Sequence, residues 1–367
     1  MKFTIIREHL LTPLQQVAGV VERRQTLPIL SNVLLKLSGD SLEMTGTDLE
    51  VQLVTRAAVE EGSPGAVTVP ARKFLDICRL LPERSVVKVD CRQDKFVIQC
   101  GSSRFNLSTL PAENYPEFDG GAAEIEVSVP RAHLRRALEK TVFAMAQQDV
   151  RYYLNGLLLD LGGQVIRAVS SDGHRLAFFE QTLDGGPEEG RQIIVPRKGV
   201  LELNRLLGED EDPVAIQIAP NNLRVDLGTV SFAAKLIEGK FPDYQRVMPR
   251  ELTRVVLVEK AAFKGALTRV SVLSNEKYRG VSMEVSEEGM MCLKAQNPEH
   301  EEAEERFPVE LEGKEISVGF NASYLLDAIN NVDSERVKLS FTESANSCLI
   351  EDCEDRQFKF IVMPMRL

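Results

Sequence analysis

The chain carries one pattern three times, and that restricts its fold more than any other feature. REHLLTPLQQV from Arg7, PRAHLRRALEKT from Pro130 and EKAAFKGALTRV from Glu259 each read as the start of an amphipathic helix. A second landmark follows each one: VTVPARKFLDICRLLP from Val67, QIIVPRKGVLELNRLLG from Gln192 and EISVGFNASYLLDAINNV from Glu315. Between the two lie TGTDLEVQL from Thr45, SSDGHRLAF from Ser170 and AQNPEHEEA from Ala295. The spacings agree. Leu10 to Leu134 is 124 residues and Leu134 to Phe263 is 129, while Val69 to Val195 is 126 and Val195 to Val318 is 123. Solenoid units recur every ~20–50 residues, so this longer period describes a whole small domain in triplicate.

Within the first repeat, Lys2–Ile6 alternates as a strand and runs into the first helix. Strands are expected at 32–37, 41–44 and 49–59, with Gly39-Asp40 and Gly46 as turn formers between them. Pro70 opens the second helix, where a missing N–H is harmless. Short strands return at 86–90, 95–99 and 103–108. The fold class is therefore α+β, with each repeat packing two helices on antiparallel sheet. The rhythm breaks at Asp119-Gly120-Gly121-Ala122-Ala123 and at Met248-Pro249-Arg250-Glu251, which sets domains at 1–122, 123–249 and 250–367.

Several function classes drop out. There is no GxxxxGK[ST] loop, no GxGxxG turn and no GxSxG elbow. Ser171, Asp172 and His174 are near neighbours on a strand and turn, so they cannot converge on one centre as a triad drawn from distant segments does. The six cysteines form no CxxC pair, and His9, His133, His174 and His300 fit no ligand spacing. All six thiols are expected as reduced core residues. The acidic run Glu299–Glu305 reads as one side of a surface strand rather than a metal site. No catalytic residue, metal or cofactor is expected. Arg7, Glu8 and His9 interrupt any apolar leader, and no uncharged run approaches a membrane span, so the expectation is a soluble, cytoplasmic protein with no membrane partner.

The net charge of −11 argues at first against a polyanionic partner. Its distribution argues the other way. The six helical segments (7–24, 70–84, 130–148, 196–208, 259–279 and 321–333) together carry +9, leaving −20 on everything else. A chain with its positive charge gathered on one class of element can present a basic face to nucleic acid while its remaining surface repels it. Ordinary solvated helix faces are the competing explanation.

Strings from all three repeats resemble one family: MKFTIIREHLLTPLQQV, TLPILSN, TGTDLE, VPARKF, FNLSTLPAENYP, QDVRYYLNG, SDGHRLA, IVPRKGV, KFPDYQRV, LSNEKYRGV, NPEHEEAEE and VMPMRL. The chain resembles the beta subunit of bacterial DNA polymerase III, the sliding clamps. That resemblance implies a head-to-tail homodimer closed into a ring, with helices lining the hole and double-stranded DNA threaded through without sequence readout. It implies DNA contact by Arg24, Arg72, Gln148, Tyr152, Tyr153, Arg197, Lys198 and Arg246. It implies a dimer interface of Phe105 and Leu107 against Val272 and Leu273. It also implies a groove for partner peptides at Leu154, Ser171, Gly173, His174, Arg175, Leu176, Pro242, Val247, Asn321, Tyr324, Val362, Met363, Pro364, Met365, Arg366 and Leu367. The occupants of that groove would come from the clamp loader, DNA polymerases and mismatch-repair or other clamp-motif proteins.

The family commonly has Thr where this chain has Ser171, which keeps the hydroxyl and drops a methyl contact. Independently of the resemblance, Val-Met-Pro-Met-Arg-Leu at 362–367 sets two adaptable thioethers in a segment suited to varied ligands. Two other functions compete with a clamp: a hydrolase or transferase built on the SDGHR turn, and a monomeric peptide scaffold that ignores DNA. Three equivalent folds argue against the enzyme, and the helix charge argues against the scaffold.

Overall fold

The computed structural model describes residues 1–21, 27–92, 94–118, 121–183, 190–209 and 212–366. Among these the α-helices are α1 (Arg7–Val17), α2 (Ala71–Leu80), α3 (Arg131–Glu139), α4 (Arg197–Leu207), α5 (Lys260–Val270) and α6 (Ala322–Asn330), two for each repeat. The apolar spacing explains them. α2 buries Ala71, Phe74, Leu75 and Cys78 while Arg72, Lys73, Asp76 and Arg79 stay exposed. α5 buries Phe263, Ala266, Leu267 and Val270 on the same period. Each such Leu or Phe removed from water stabilises by about 1.5–3 kcal/mol.

The helices are shorter than the charged segments that contain them. α1 closes where Ala18 and Gly19 donate to the Leu14 and Gln16 carbonyls. α5 passes into a 3-10 turn at Ser271–Leu273, with Ser274 donating its hydroxyl to the Ser271 carbonyl. Pro70 is the residue before α2 rather than its first helical residue, because it also ends the strand Gly65–Pro70.

Among the described residues the strands form four antiparallel sheets. Two of them cross repeat borders. In the eight-stranded sheet, Val230–Lys235 of the second repeat pairs with Val51–Ala58 of the first, Phe232 facing Leu53. In the nine-stranded sheet, Arg175–Thr182 of the second repeat pairs with Phe358–Val362 of the third, Ala177 facing Phe360. The other two lie within single repeats. A five-stranded sheet ends at Ser103–Ser108, and a four-stranded sheet ends at Glu302–Pro308.

The chain consequently packs as two compact units: Met1–Ala132 with Lys198–Ile237, and His133–Arg197 with Glu238–Leu367. The middle repeat is shared between them, since its strands are hydrogen-bonded partly to the first repeat and partly to the third. Charged groups reinforce both joins. In the first unit Lys198 pairs with Asp48, and Arg205 donates to the Gln16 carbonyl at 3.2 Å. In the second, Arg136 and Lys140 of the α3 region pair with Asp333 just beyond α6, at 2.9 and 2.7 Å. The Lys140 ammonium also sits 4.3 Å from the centre of the Phe358 ring.

All six cysteines are unpaired, but they are not all core residues as expected. Cys78, Cys100, Cys292 and Cys348 are buried, Cys91 is half-buried and Cys353 is exposed. Alternation explains Cys353: it follows the buried Asp352 at the end of a strand and faces the other way. Burial pushes the Cys78 thiol up to about 12.

Asp352 organises the turn after that strand. Its carboxylate accepts backbone N–H groups from Asp333, Ser334, Glu354 and Asp355 at 2.8–3.0 Å. Burial alone would raise its pKa, yet these four donors outweigh burial and hold it at about 2. A folded pKa below the unfolded value of about 3.9 gives stability that is complete above that pH and fades as pH falls toward 2. Asp352→Ala is expected to lower unfolding stability by about 2–3 kcal/mol near pH 7, with the gap from wild type narrowing as pH drops through 4 toward 2. Urea unfolding at both ends of that range measures it. An equal gap at both would remove the carboxylate from this role.

Candidate functional site

The SDGHR turn is the best-ordered polar cluster of the second unit. Asp172 accepts the backbone N–H of His174 and of Arg175, at 2.9 and 3.0 Å, and the Arg175 Nε at 3.0 Å. The Ser171 hydroxyl donates to the Arg175 carbonyl at 2.7 Å and accepts the Gly173 N–H at 3.1 Å. That bond needs only a hydroxyl, so Ser suffices in place of Thr. Gly173 has φ +88, a left-handed conformation that favours glycine, and a Cβ there would also push the Arg151 guanidinium, 2.7 Å away, aside. The Ser171 hydroxyl and the Asp172 carboxylate are thus engaged within the turn itself.

Arg175 is the centre of the cluster. Its side chain is 13% exposed and pairs with Asp172 and with Asp327 of α6. One Nη donates to the Phe143 carbonyl at 2.9 Å, and the guanidinium lies 4.6 Å from the Tyr324 ring centre and 5.6 Å from that of Phe143. The His174 ring stacks on Tyr324 at 6.3 Å. Tyr324 is held by the start of α6, where the Asn321 side chain accepts the N–H groups of Ser323 and Tyr324 and donates to the Tyr278 carbonyl. Burial, followed by the nearby Asp172 charge, raises the Tyr324 phenol above its ordinary range.

The segment after Phe358–Val362 joins this cluster. Met363 N–H donates to the His174 carbonyl and Met365 N–H to the Gly319 carbonyl, both at 2.8 Å. Met363 and Met365 are half-buried while Pro364 and Arg366 are exposed, so the segment lies along the surface. Leu154, Leu176 and Val362 are buried, at 3%, 4% and 1% exposure. Val247 and Met363 both line a cavity of about 590 Å³, together with Thr342 and Ser347. Pro242 is exposed, following the buried Phe241. Leu367 lies outside the described residues.

Arg151, Phe143, Asp327 and Ser347 escaped the sequence reading. They come from separate stretches of chain and meet only through folding. Asp327 alone left a signal, one turn beyond Tyr324 on a helix.

The DNA-contact candidates divide by environment. Arg72, Gln148, Tyr152 and Arg246 are exposed, and Tyr152 packs edge-on against the half-buried Tyr153. Arg72 reaches the Val21 carbonyl at 3.4 Å, and Arg246 pairs with Asp243 at 3.1 Å. Lys198 is engaged by Asp48, and Arg197 donates to the Met145 carbonyl at 3.3 Å. Burial, and secondarily the Arg175 charge, lowers the Arg197 pKa. Arg24 lies outside the described residues.

Of the interface candidates, Phe105, Leu107 and Leu273 are half-buried and Val272 is 76% exposed. Leu80, at the end of α2, is a large apolar side chain 87% exposed. The acidic run forms part of the edge strand Glu302–Pro308, with Glu305 bonded to Arg269, and no metal-ligand cluster occurs among the described residues.

Family comparisons cover nearly the whole chain. Residues 1–119 match the N-terminal domain of the DNA polymerase III beta subunit, residues 128–243 its central domain and residues 245–366 its C-terminal domain. The beta sliding clamp of Pseudomonas putida is 48% identical over 368 residues, covering all of both chains. The crystal structure of the DNA polymerase III beta subunit from Pseudomonas aeruginosa superposes with a TM-score of 0.97 at 47% identity, and that of its clamp bound to griselimycin with 0.96 at 47%, each over the full length of both chains. With three α+β domains of this type, the chain belongs to the DNA polymerase III beta subunit family, the bacterial sliding clamps.

Proposed function

We propose that two copies of this chain close head to tail into a ring around double-stranded DNA, and that the Arg175–Tyr324 cluster is the floor of a groove that tethers partner proteins to it. The chain acts by binding and catalyses nothing. Its place of action is the cytoplasm, its domains divide at 122/123 and 249/250, and its partners are the clamp loader, polymerases and repair proteins carrying clamp-binding peptides.

The observation that carries the ring is the pair of open sheet edges. After the TGTDLE landmark comes Val51–Ala58, and after SSDGHR comes Arg175–Thr182; each pairs with the last strand of the next repeat. The equivalents left over are Glu302–Pro308, after NPEHEEA, and Ser103–Ser108, the last strand of repeat one. Pairing these between copies joins five strands and four into a sheet of nine, the size of the sheet already shared by repeats two and three. It also covers two exposed edges. Arg104 on one edge complements Glu302 and Glu304 on the other, and the exposed Leu80 and Val272 supply apolar surface. Ring closure then holds DNA by topology, with electrostatic contact that needs no base readout.

The decisive experiment loads the protein onto circular plasmid with the loading machinery supplied, then linearises the DNA. Retention on the circle and loss from the linear form, followed by gel filtration, is the expected outcome; equal retention on both would mean ordinary surface binding and overturn the ring. Leu273→Ala is expected to shift the dimer toward monomer in sedimentation, and an unchanged mass at micromolar protein would remove Leu273 from the interface. Deletion of residues 363–367 is expected to abolish binding of an apolar clamp-type peptide while sparing the dimer, which calorimetry tests directly.

A further inference from the structure

The face of the nine-stranded sheet that carries Leu176 of the groove, opposite the one to which Arg175 and Val362 point, continues beyond it. Directly paired residues share a face, so Leu176, Ile361 and Leu349 form one apolar row across three strands. The next row on the same face is Phe178, Lys359, Glu351, Lys338 and Leu257. Cavities follow this route. The 590 Å³ cavity at Val247 and Met363 shares Met248 and Pro249 with one of about 320 Å³ against Phe178, Leu349 and Lys359. Lys359 in turn lines a third of about 570 Å³, with Arg336, Lys338 and Arg356 around it.

The third cavity is basic. Lys338 pairs with Glu351 at 3.2 Å and Arg336 with Glu310 at 2.7 Å. The remaining lining carboxylate, Asp352, is buried and saturated by four backbone N–H groups. Arg356 and Lys359 have no ion-pair partner among the described residues. Lys359 is half-buried, directly paired with Phe178 on one side and Glu351 on the other, and Glu351 is itself ion-paired with Lys338. Two residues along the strand put Lys359 about 7 Å from Ile361, and two strands further across put Lys338 about 12 Å away, so an extended peptide reaches these cations in about two to four residues.

We propose that Arg356 and Lys359, flanked by Arg336 and Lys338, form an anion subsite for acidic residues lying about two to four positions from the apolar anchor of a peptide bound in the groove. The inference rests on the groove reading above and adds a specificity element to it. Peptides with an acidic flank on the correct side bind in preference to those without.

Three labelled synthetic peptides with one shared Leu-Phe anchor test this on the full-length protein by fluorescence anisotropy: one with neutral Ser-Gly flanks, one with four Asp/Glu residues before the anchor, and one with four after it. One acidic peptide is expected to bind about three- to tenfold tighter than the neutral one near 50 mM salt, and the advantage to shrink near 500 mM. Arg356→Gln with Lys359→Gln is expected to erase the advantage and leave neutral-peptide affinity unchanged; Lys264→Gln, exposed on α5 and outside both groove and subsite, keeps it. An advantage that survives in the Arg356/Lys359 variant overturns the subsite. Neutral binding with no gain from either flank overturns it too while leaving the groove intact. Failure of all three peptides to bind wild-type protein overturns the groove, and this inference with it.

Discussion

Backbone pairing across repeat borders is the constraint from which the other features follow. A repeat of this kind cannot satisfy its own edge strands, because Val51–Ala58 and Arg175–Thr182 each have one side open until the next repeat supplies Val230–Lys235 or Phe358–Val362. The joins are dry as well as hydrogen-bonded: Leu53, Phe232, Ala177 and Phe360 meet there at exposures of 1% or less. Cutting the chain at a repeat border would expose a ladder of N–H and C=O groups and an apolar strip together. The middle repeat is for that reason less a domain between two others than a pair of halves, each completed by a neighbour.

The groove inherits its position from the same pairing. His174 and Arg175 stand where a strand of the second repeat begins, directly beside Val362 of the third. Residues from both repeats therefore converge at that point without a long loop to bring them. Arg175 then locks the junction by touching Asp172, Phe143, Asp327 and Tyr324 at once. A guanidinium suits this role because its planar fork serves carboxylates in its plane and aromatic rings on its faces. A binding surface at a junction of two repeats also explains why the repeats diverge in sequence there: the equivalent turn of the first repeat, Asp48 to Val51, instead accepts Lys198 from α4.

Much of this was legible beforehand, and the failures have physical causes. The helices fell at the expected landmarks since Phe74, Leu75 and Cys78 or Phe263, Leu267 and Val270 recur at helical spacing, a local signal. Strand Ser103–Ser108 alternates so plainly that even its bounds were readable. The cross-repeat pairings were not, because nothing in Val51–Ala58 specifies a partner almost 180 residues away. Likewise Cys353 looked like a core thiol by residue type, and only strand parity turned it outward. The proposed groove residues come from resemblance; Phe143, Arg151 and Asp327, which contact them, belong to no motif and emerge only from three-dimensional contact.

The helix charge that first suggested a polyanion partner has a second use. Arg7 donates to the Cys78 and Arg79 carbonyls, Arg136 and Lys140 pair with Asp333, Lys198 with Asp48, and Lys260 with the Val332 carbonyl. These side chains are fixed by the fold. The groups bound to carbonyls keep their full charge, and those paired with carboxylates give much of it back. The field at the helices is therefore smoother and weaker than the sequence total implies, set largely by immobile charges. That suits a surface past which DNA must slide, since freely mobile arginines would settle bidentately on individual phosphates and impede translation. It also means that removing one such cation disturbs a helix contact before it disturbs the field.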